Sequence, residues 1–298
     1  MLHRRKLITA LAAAPVLLPA FSQAAQTAAP DLTSRINELE RRTGGRLGVA
    51  VLDTHTGRRF AWRGDERFRM CSTIKAPLSA AILRRVDQGR ERLDRRITYG
   101  RDVLMGNSPV VEQHVEDGMT IAALCEATMT RSDNAAANLL FNALNNDKER
   151  APADLTRFLR AIGDQTTRSD RLEPELNTGT PDDPRDTTTP TAIVATWKTL
   201  LLGDALSPAS RKQLTAWVVA NRTGDKRLRA GLPKGWRVGD KTGNNGKDQT
   251  NDVAITWPPG RKPVLIASFH DRGSADDDVR NAVLADVARA VVAAGFGG

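Results

Sequence analysis

WRVGDKTGNNGKDQTNDVAITWPPGRKPVLIASFH, residues 236–270, contains three largely apolar runs, Trp236 to Asp240, Asp252 to Trp257 and Val264 to His270. Asn245-Gly246 and Pro258-Pro259-Gly260 punctuate them, and short runs of this kind between turn residues read as successive strands of one sheet. Working outward, Leu47 to Leu52 and Arg59 to Trp62 read as a hairpin closed by Thr54-His55-Thr56-Gly57. A helix precedes it, Leu32 to Arg42, with Leu32, Ile36 and Leu39 on one face and Gly44-Gly45 as its stop. Another closes the chain, where Asp277 to Ala294 repeats Val279, Val283, Val287 and Val291.

The middle of the chain carries helical patterns, among them Ala76 to Gln88, Thr120 to Met129 and Ala135 to Leu144, interrupted by a long loop rich in Pro, Thr and Asp. Strands near both ends with helices between them predict an α+β fold. One antiparallel sheet would be built from residues 30–66 and 219–298, flanked by the N- and C-terminal helices, with an all-helical domain, 67–218, inserted. A ligand site is expected at the seam.

The chain has 298 residues, 40% hydrophobic and 27% charged, enough for one large domain or two small ones. A basic head from His3 to Lys6, an apolar run from Leu7 to Phe21 and small residues at Ser22, Ala24 and Ala25 read as a signal peptide, 1–25, cut near Ala24 or Ala25. Pro15, Pro19 and the shortness of the run argue against a retained anchor. The Arg4-Arg5 pair also suits the twin-arginine route. The mature protein is therefore expected in the periplasm or outside the cell, with no membrane attachment, as a monomer. The formal charge of +9 falls to about +6 without Arg4, Arg5 and Lys6. Its cations are interleaved with Asp and Glu and only 4% of residues are aromatic, so no nucleic-acid partner is expected and a small anionic substrate is the better fit. His3, His55, His114 and His270 are too scattered for a metal site, and no cofactor is expected.

Ser72-Thr73-Ile74-Lys75 places a hydroxyl and an amine three residues apart, on one face if helical, where the amine can accept the hydroxyl proton. Such a pair arises by chance about once in a chain this long, so alone it decides nothing. Ser132-Asp133-Asn134 is rarer, although it also reads as a helix N-cap. Lys241-Thr242-Gly243 closes an apolar strand and also reads as a protected edge with a Gly bend. All three in this order behind an export signal reduce coincidence below about one in a hundred, which makes them one constellation.

That trio is shared by class A β-lactamases and penicillin-binding proteins, and the sequence resembles this superfamily over nearly its whole length past residue 25. Arg171-Leu172-Glu173-Pro174-Glu175-Leu176-Asn177 is similar to the omega loop of class A serine β-lactamases, about 171–186 here. The resemblance implies hydrolysis of β-lactams, and with it antibiotic resistance, through a Ser72 acyl-enzyme deacylated by a water that Glu173 activates. Lys75 and Ser132 would move protons, and whether Lys75 or Glu173 takes the Ser72 proton is left open. Asn134 and Asn177 would steady substrate and water. The backbone N–H groups of Ser72 and Asn244 would form the oxyanion hole. Lys241, Thr242, Gly243 and Arg227 would receive the substrate carboxylate, and an Arg171–Asp186 bridge would clamp the loop. Two other readings share the pocket: an exported D,D-peptidase or transpeptidase, and a non-catalytic sensor of β-lactams.

The chain departs from family patterns in several places. Cys71 precedes the nucleophile as in members that pair it with a cysteine just after Lys-Thr-Gly, but Asn244 and Asn245 stand there. Cys125 resembles a cysteine joined in many members to the nucleophile helix, where Ser79 is the matching residue; Cys71 lies about 12 Å away along a helix, so two free thiols are expected. Asn107 occupies a spot at the site rim where relatives often carry an aromatic, and Asn251 and Asp252 leave the strand after Lys-Thr-Gly without a cation.

Overall fold

A computed structural model describes residues 31–180, 182–274 and 276–298; the signal peptide expected at 1–25 lies outside the described residues. The first helix, α1 (Leu32–Thr43), starts because Asp31 Oδ1 accepts the Ser34 N–H at 2.8 Å, and it buries Leu32, Ile36 and Leu39. Gly45 follows at φ 76, where a Cβ would stand 2.5 Å from the Asp271 carbonyl, so only glycine lets the chain enter the sheet there. The hairpin is β1 (Arg46–Asp53) and β2 (Arg59–Trp62), its turn held by Asp53 Oδ1 accepting the N–H groups of His55 and Thr56 at 2.8 and 3.3 Å.

The middle contains α2 (Lys75–Asp87), α3 (Ile121–Thr130), α4 (Asn134–Leu144), α5 (Ala151–Ala161), α6 (Pro190–Leu202) and α7 (Pro208–Val219), followed by the single turn α8 (Leu228–Gly231). Expected to be all helical, it also holds two small ladders, β3 (Phe68–Arg69) with β6 (Thr187–Thr188), and β4 (Arg96–Ile97) with β5 (Met119–Thr120). Two-residue strands carry no readable alternation, which is why only the folded chain reveals them. The strands at 236–270 become β7 (Arg237–Asn244), β8 (Thr250–Trp257) and β9 (Val264–Asp271), and α9 (Asp277–Ala293) ends the chain.

The main sheet runs β2-β1-β9-β8-β7, antiparallel at every pairing. β1, β8 and β9 bury nearly every residue because helices cover both faces, whereas the edge strand β2 alternates exposed and half-buried residues. Val49, Val51, Ala254 and Ile266 meet Ile36, Val283, Val287 and Val291 in one core, while Ala50, Val253, Leu265 and Phe269 join the core that α2, α4 and α6 fill with Leu78, Leu140 and Trp197. Each large side chain so buried contributes about 1.5–3 kcal/mol. Val279, expected with the other valines of α9, is 41% exposed. A fourfold repeat gains about 40° per step on a helix of 3.6 residues per turn, so the first of four valines has rotated off the buried face.

Glu40 fastens α1 to the hairpin: Oε2 accepts the Leu47 N–H and Arg63 Nε–H, both at 2.8 Å, and Trp62 Nε1–H at 3.2 Å. Burial alone would raise its pKa, but these bonds and the Arg63 charge prevail and lower it from 4.5 to about 2. A carboxyl depressed on folding stabilises fully above its unfolded pKa and loses that contribution as pH falls through the folded value. Glu40→Gln is thus expected to cost about 1–2 kcal/mol at neutral pH, a surface-discounted figure. In paired urea melts the deficit should shrink between pH 4.5 and about 2; a deficit independent of pH would rule out the ion pair as its source.

Candidate active site

Ser72 sits in a 3-10 turn, Cys71–Ile74, that runs directly into α2, so serine and lysine share the start of one helical segment. Cys71 has φ 47, a left-handed turn that brings the chain from β3 into the helix. Lys75 is fully buried, and its Nζ donates to the Ser132 carbonyl at 2.9 Å, Asn134 Oδ1 at 2.6 Å and Glu173 Oε1 at 2.9 Å. Three acceptors fill the three donor positions of an ammonium.

The Ser132-Asp133-Asn134 triplet divides its labour. Asp133 is the N-cap of α4, Oδ1 accepting the Ala136 N–H at 2.9 Å, while Oδ2 accepts the N–H groups of Val110 and Val111. That frees Ser132, at φ 56, and Asn134 to face the site. Ser132 Oγ lies 3.5 Å from Lys75 Nζ and accepts from Lys241 Nζ at 3.1 Å. Asn107 stands exposed at the rim, as expected, and also braces the turn, donating to the Ser132 carbonyl at 2.8 Å.

From the edge strand β7 come Lys241, Thr242, Gly243 and Asn244. Burial, reinforced by nearby Lys75, pushes the Lys241 amine well below its ordinary pKa, Asp240 opposing. Thr242 Oγ1 is 2.5 Å from Thr223 Oγ1. At Gly243 a Cβ would stand 2.5 Å from the Met70 carbonyl and 3.2 Å from Cys71 Cβ, so the absence of a side chain lets β7 lie against the turn that carries Ser72. The Asn244 amide is drawn to Asp277 Oδ1 at 2.8 Å.

Glu173, 2% exposed, completes the group: Oε1 is 3.5 Å from Ser72 Oγ, and Oε2 accepts from Asn177 Nδ2 at 2.5 Å. Serine, lysine and carboxylate therefore meet at one point in the seam between sheet and helices.

The family described as "Beta-lactamase enzyme family" matches residues 31–294. The class A β-lactamase of the last common ancestor of Gram-negative bacteria (GNCA4), a solved structure, is 65% identical, with a TM-score of 0.85 over 88% of this chain and 98% of its own. The chain belongs to the class A β-lactamases. This β-lactamase is also 45% identical to Beta-lactamase L2 of Stenotrophomonas maltophilia, over 95% of this chain and 90% of that protein. It is 53% identical to a β-lactamase of known structure from Xanthomonas campestris, with a TM-score of 0.85 over 90% and 97% of the two chains.

In this β-lactamase the segment from Arg171 to Asp186 is pinned at its ends. Arg171 Nε donates to Asp186 Oδ2 at 2.6 Å, and the N–H groups of Asp170 and Arg171 reach Asp186 Oδ1 at 2.7 and 3.0 Å. Burial raises the Asp186 pKa against these bonds. The Asp186 carbonyl accepts the Met70 N–H at 2.9 Å, which joins the loop to the turn that carries Ser72 and is invisible in sequence.

Sequence reasoning missed Asn138. Its Oδ1 accepts the Glu173 N–H at 3.0 Å and its Nδ2 donates to the Glu173 carbonyl at 2.8 Å, so α4 grips the loop backbone at the carboxylate itself. The signal was present: Asn134, Asn138 and Asn142 recur every four residues, about one helical turn, along one side of a segment apolar between them. Asn138→Ala is expected to cost about 2–3 kcal/mol, two bonds to buried groups. It should slow breakdown of the acyl-enzyme more than its formation, a split that stopped-flow bursts would reveal; equal slowing of both would make Asn138 a general structural tie.

Arg227 is not a surface arginine. It is 8% exposed, Nη1 donating to the Gly243 and Asn251 carbonyls, both at 2.9 Å, and Nε to Asn281 Oδ1 at 2.8 Å. Burial lowers its pKa, with Asp252 opposing, and the guanidinium lies behind the Lys-Thr-Gly strand. Both cysteines are buried free thiols, Cys71 pushed up to about 12 by burial and by Glu173, and Cys125 against Ser79. Among the described residues, no cluster of three or more His, Cys, Asp or Glu is placed to hold a metal ion, and no helix is long and apolar enough to cross a membrane.

Proposed function

We propose that this enzyme opens the β-lactam amide bond through an acyl-enzyme on Ser72 and releases the product with a water activated by Glu173, conferring resistance to such antibiotics. The observation that carries the reading is the position of Glu173 Oε1, between Ser72 Oγ at 3.5 Å and Lys75 Nζ at 2.9 Å.

Because all three Lys75 donors are occupied, the carboxylate is the proton acceptor when Ser72 Oγ attacks the lactam carbonyl. The C–N bond then breaks, and the leaving nitrogen takes its proton from the Ser132 hydroxyl, which Lys75 and Lys241 flank; the proton held by Glu173 passes through Lys75 to Ser132, restoring both the hydroxyl and the carboxylate. The Ser72 and Asn244 N–H groups receive the oxyanion. The substrate carboxylate binds at Lys241 and Thr242 with Arg227 behind them, supplying the negative charge that the buried Lys241 amine lacks. In deacylation Glu173 takes a proton from water attacking the ester and returns it to Ser72 Oγ as the ester C–O bond breaks. Asn177 Oδ1, buried and without a partner among the described residues, is the acceptor that positions this water. The basic, apolar and small-residue order of 1–25 supports export to the periplasm or beyond.

Repeated nitrocefin turnover by the purified mature enzyme is the test. Many equivalents hydrolysed per enzyme are expected, whereas one slow equivalent would mark a D,D-peptidase or a sensor.

A further inference from the structure

A cleft of 470 Å³ adjoins the site, sharing Asn177 and Asn244 with it and running between the omega loop and the β7–β8 turn to the start of β1. Arg67, Arg69, Lys247 and Arg272 line it, and none of the four is within ion-pair distance of a carboxylate among the described residues. Arg67 Nη1 is spent on the Thr166 carbonyl and Thr187 Oγ1, and Arg69 Nη2 on the Thr180 carbonyl, while Arg69 Nε is buried without a partner among the described residues. The carboxylates of the cleft do not offset this charge. Asp271 is held by Arg46 at 2.7 Å and Asp183 by Arg185 at 2.9 Å, which leaves Asp248 alone against four cations.

In a β-lactam the attacked carbonyl carbon lies between the ring nitrogen, on whose side the ring carboxylate is carried, and the ring carbon bearing the acylamino side chain. With the ring carboxylate on Lys241 and Thr242, that side chain leaves Ser72 on the opposite flank, toward Asn177 and Asn244, where the cleft begins. We propose that the cleft is a subsite for a second carboxylate, carried on the acyl side chain, and that it makes the enzyme selective for β-lactams with anionic side chains such as carboxyalkoxyimino cephalosporins. The inference rests on acylation at Ser72 as proposed above.

Cefixime and cefdinir differ only in a carboxymethyl group on the oxime oxygen, so the ratio of their kcat/KM values isolates that carboxylate and cancels the shared ring carboxylate. The ratio is expected to favour cefixime at about 0.02 M salt and to fall about 5-fold or more by about 0.5 M, as screening shortens the reach of the cations. The double variant Lys247→Gln/Arg272→Gln should lower the low-salt ratio by a similar factor. Lys226→Gln, which removes an exposed cation paired with Asp278 at 2.8 Å, should not move it. A ratio indifferent to both salt and the double substitution overturns the subsite. Failure of the parent enzyme to turn over nitrocefin overturns instead the hydrolytic reading beneath it, whereas nitrocefin turnover with neither cephalosporin hydrolysed overturns the subsite.

Discussion

Glu173→Ala is expected to trap the enzyme as a covalent penicilloyl adduct on Ser72, with turnover falling by about 10³-fold or more while acylation persists at a reduced rate. The asymmetry follows from the hydrogen bonds. Removing the carboxylate takes away the group 3.5 Å from Ser72 Oγ, but it also releases one of the three acceptors of Lys75, whose amine then becomes the remaining route for the serine proton. Deacylation has no such substitute, because the water's proton acceptor is the deleted group and Asn177 loses its partner at 2.5 Å. Intact-mass spectra after mixing with benzylpenicillin would show the parent enzyme unmodified and the variant shifted by one penicillin. A variant that hydrolyses penicillin at the parent rate with no adduct would show that another group activates the water.

Lys75→Ala should be the most damaging single change to stability and activity together. Lys75 and Glu173 both have fully buried side chains, so removing the ammonium leaves a buried carboxylate without its counter-ion and strands the acceptors on Ser132 and Asn134. Breaking a buried ion pair in this way costs about 3–5 kcal/mol. Acylation should fall by about 10² to 10⁴-fold, since the base for Ser72 loses the charge that holds it in place and Ser132 loses one of its two flanking amines. Lys75→Gln separates the two roles, because it keeps most of the volume and two of the three donors without the charge. It is expected to recover part of the melting temperature, through the restored packing and hydrogen bonds, but little of the acylation rate in stopped-flow traces. Recovery of both would make Lys75 a structural tie outside the proton path.

The order of the fold was legible where local chemistry dictates it. Gly44-Gly45, Asn245-Gly246 and Pro258-Pro259-Gly260 mark boundaries because few other residues tolerate those turns, and β8 and β9 are buried along nearly their whole length because both faces of the sheet are covered. The sequence was less informative where partners are distant in the chain. Ser132 and Asp133 are adjacent, yet one faces Lys241 and the other caps α4, a division settled by the left-handed backbone at Ser132. Arg227 could have been a solvated arginine until the packing of β7, β8 and α9 around it was seen.

By itself the sequence determined the α+β order of elements and the inventory of reacting groups, because turn residues, hydrophobic periodicity and a hydroxyl three residues from an amine are short-range facts. Only the tertiary structure decided that Ser72, Lys75, Ser132, Glu173 and Lys241 converge and that Asn138 and Asp186 hold the carboxylate in range. It alone gathered four cations from separate segments into one cleft. Hydrogen bonding and charge act over a few ångströms, and chain positions about a hundred residues apart acquire such distances only when the sheet and helices pack.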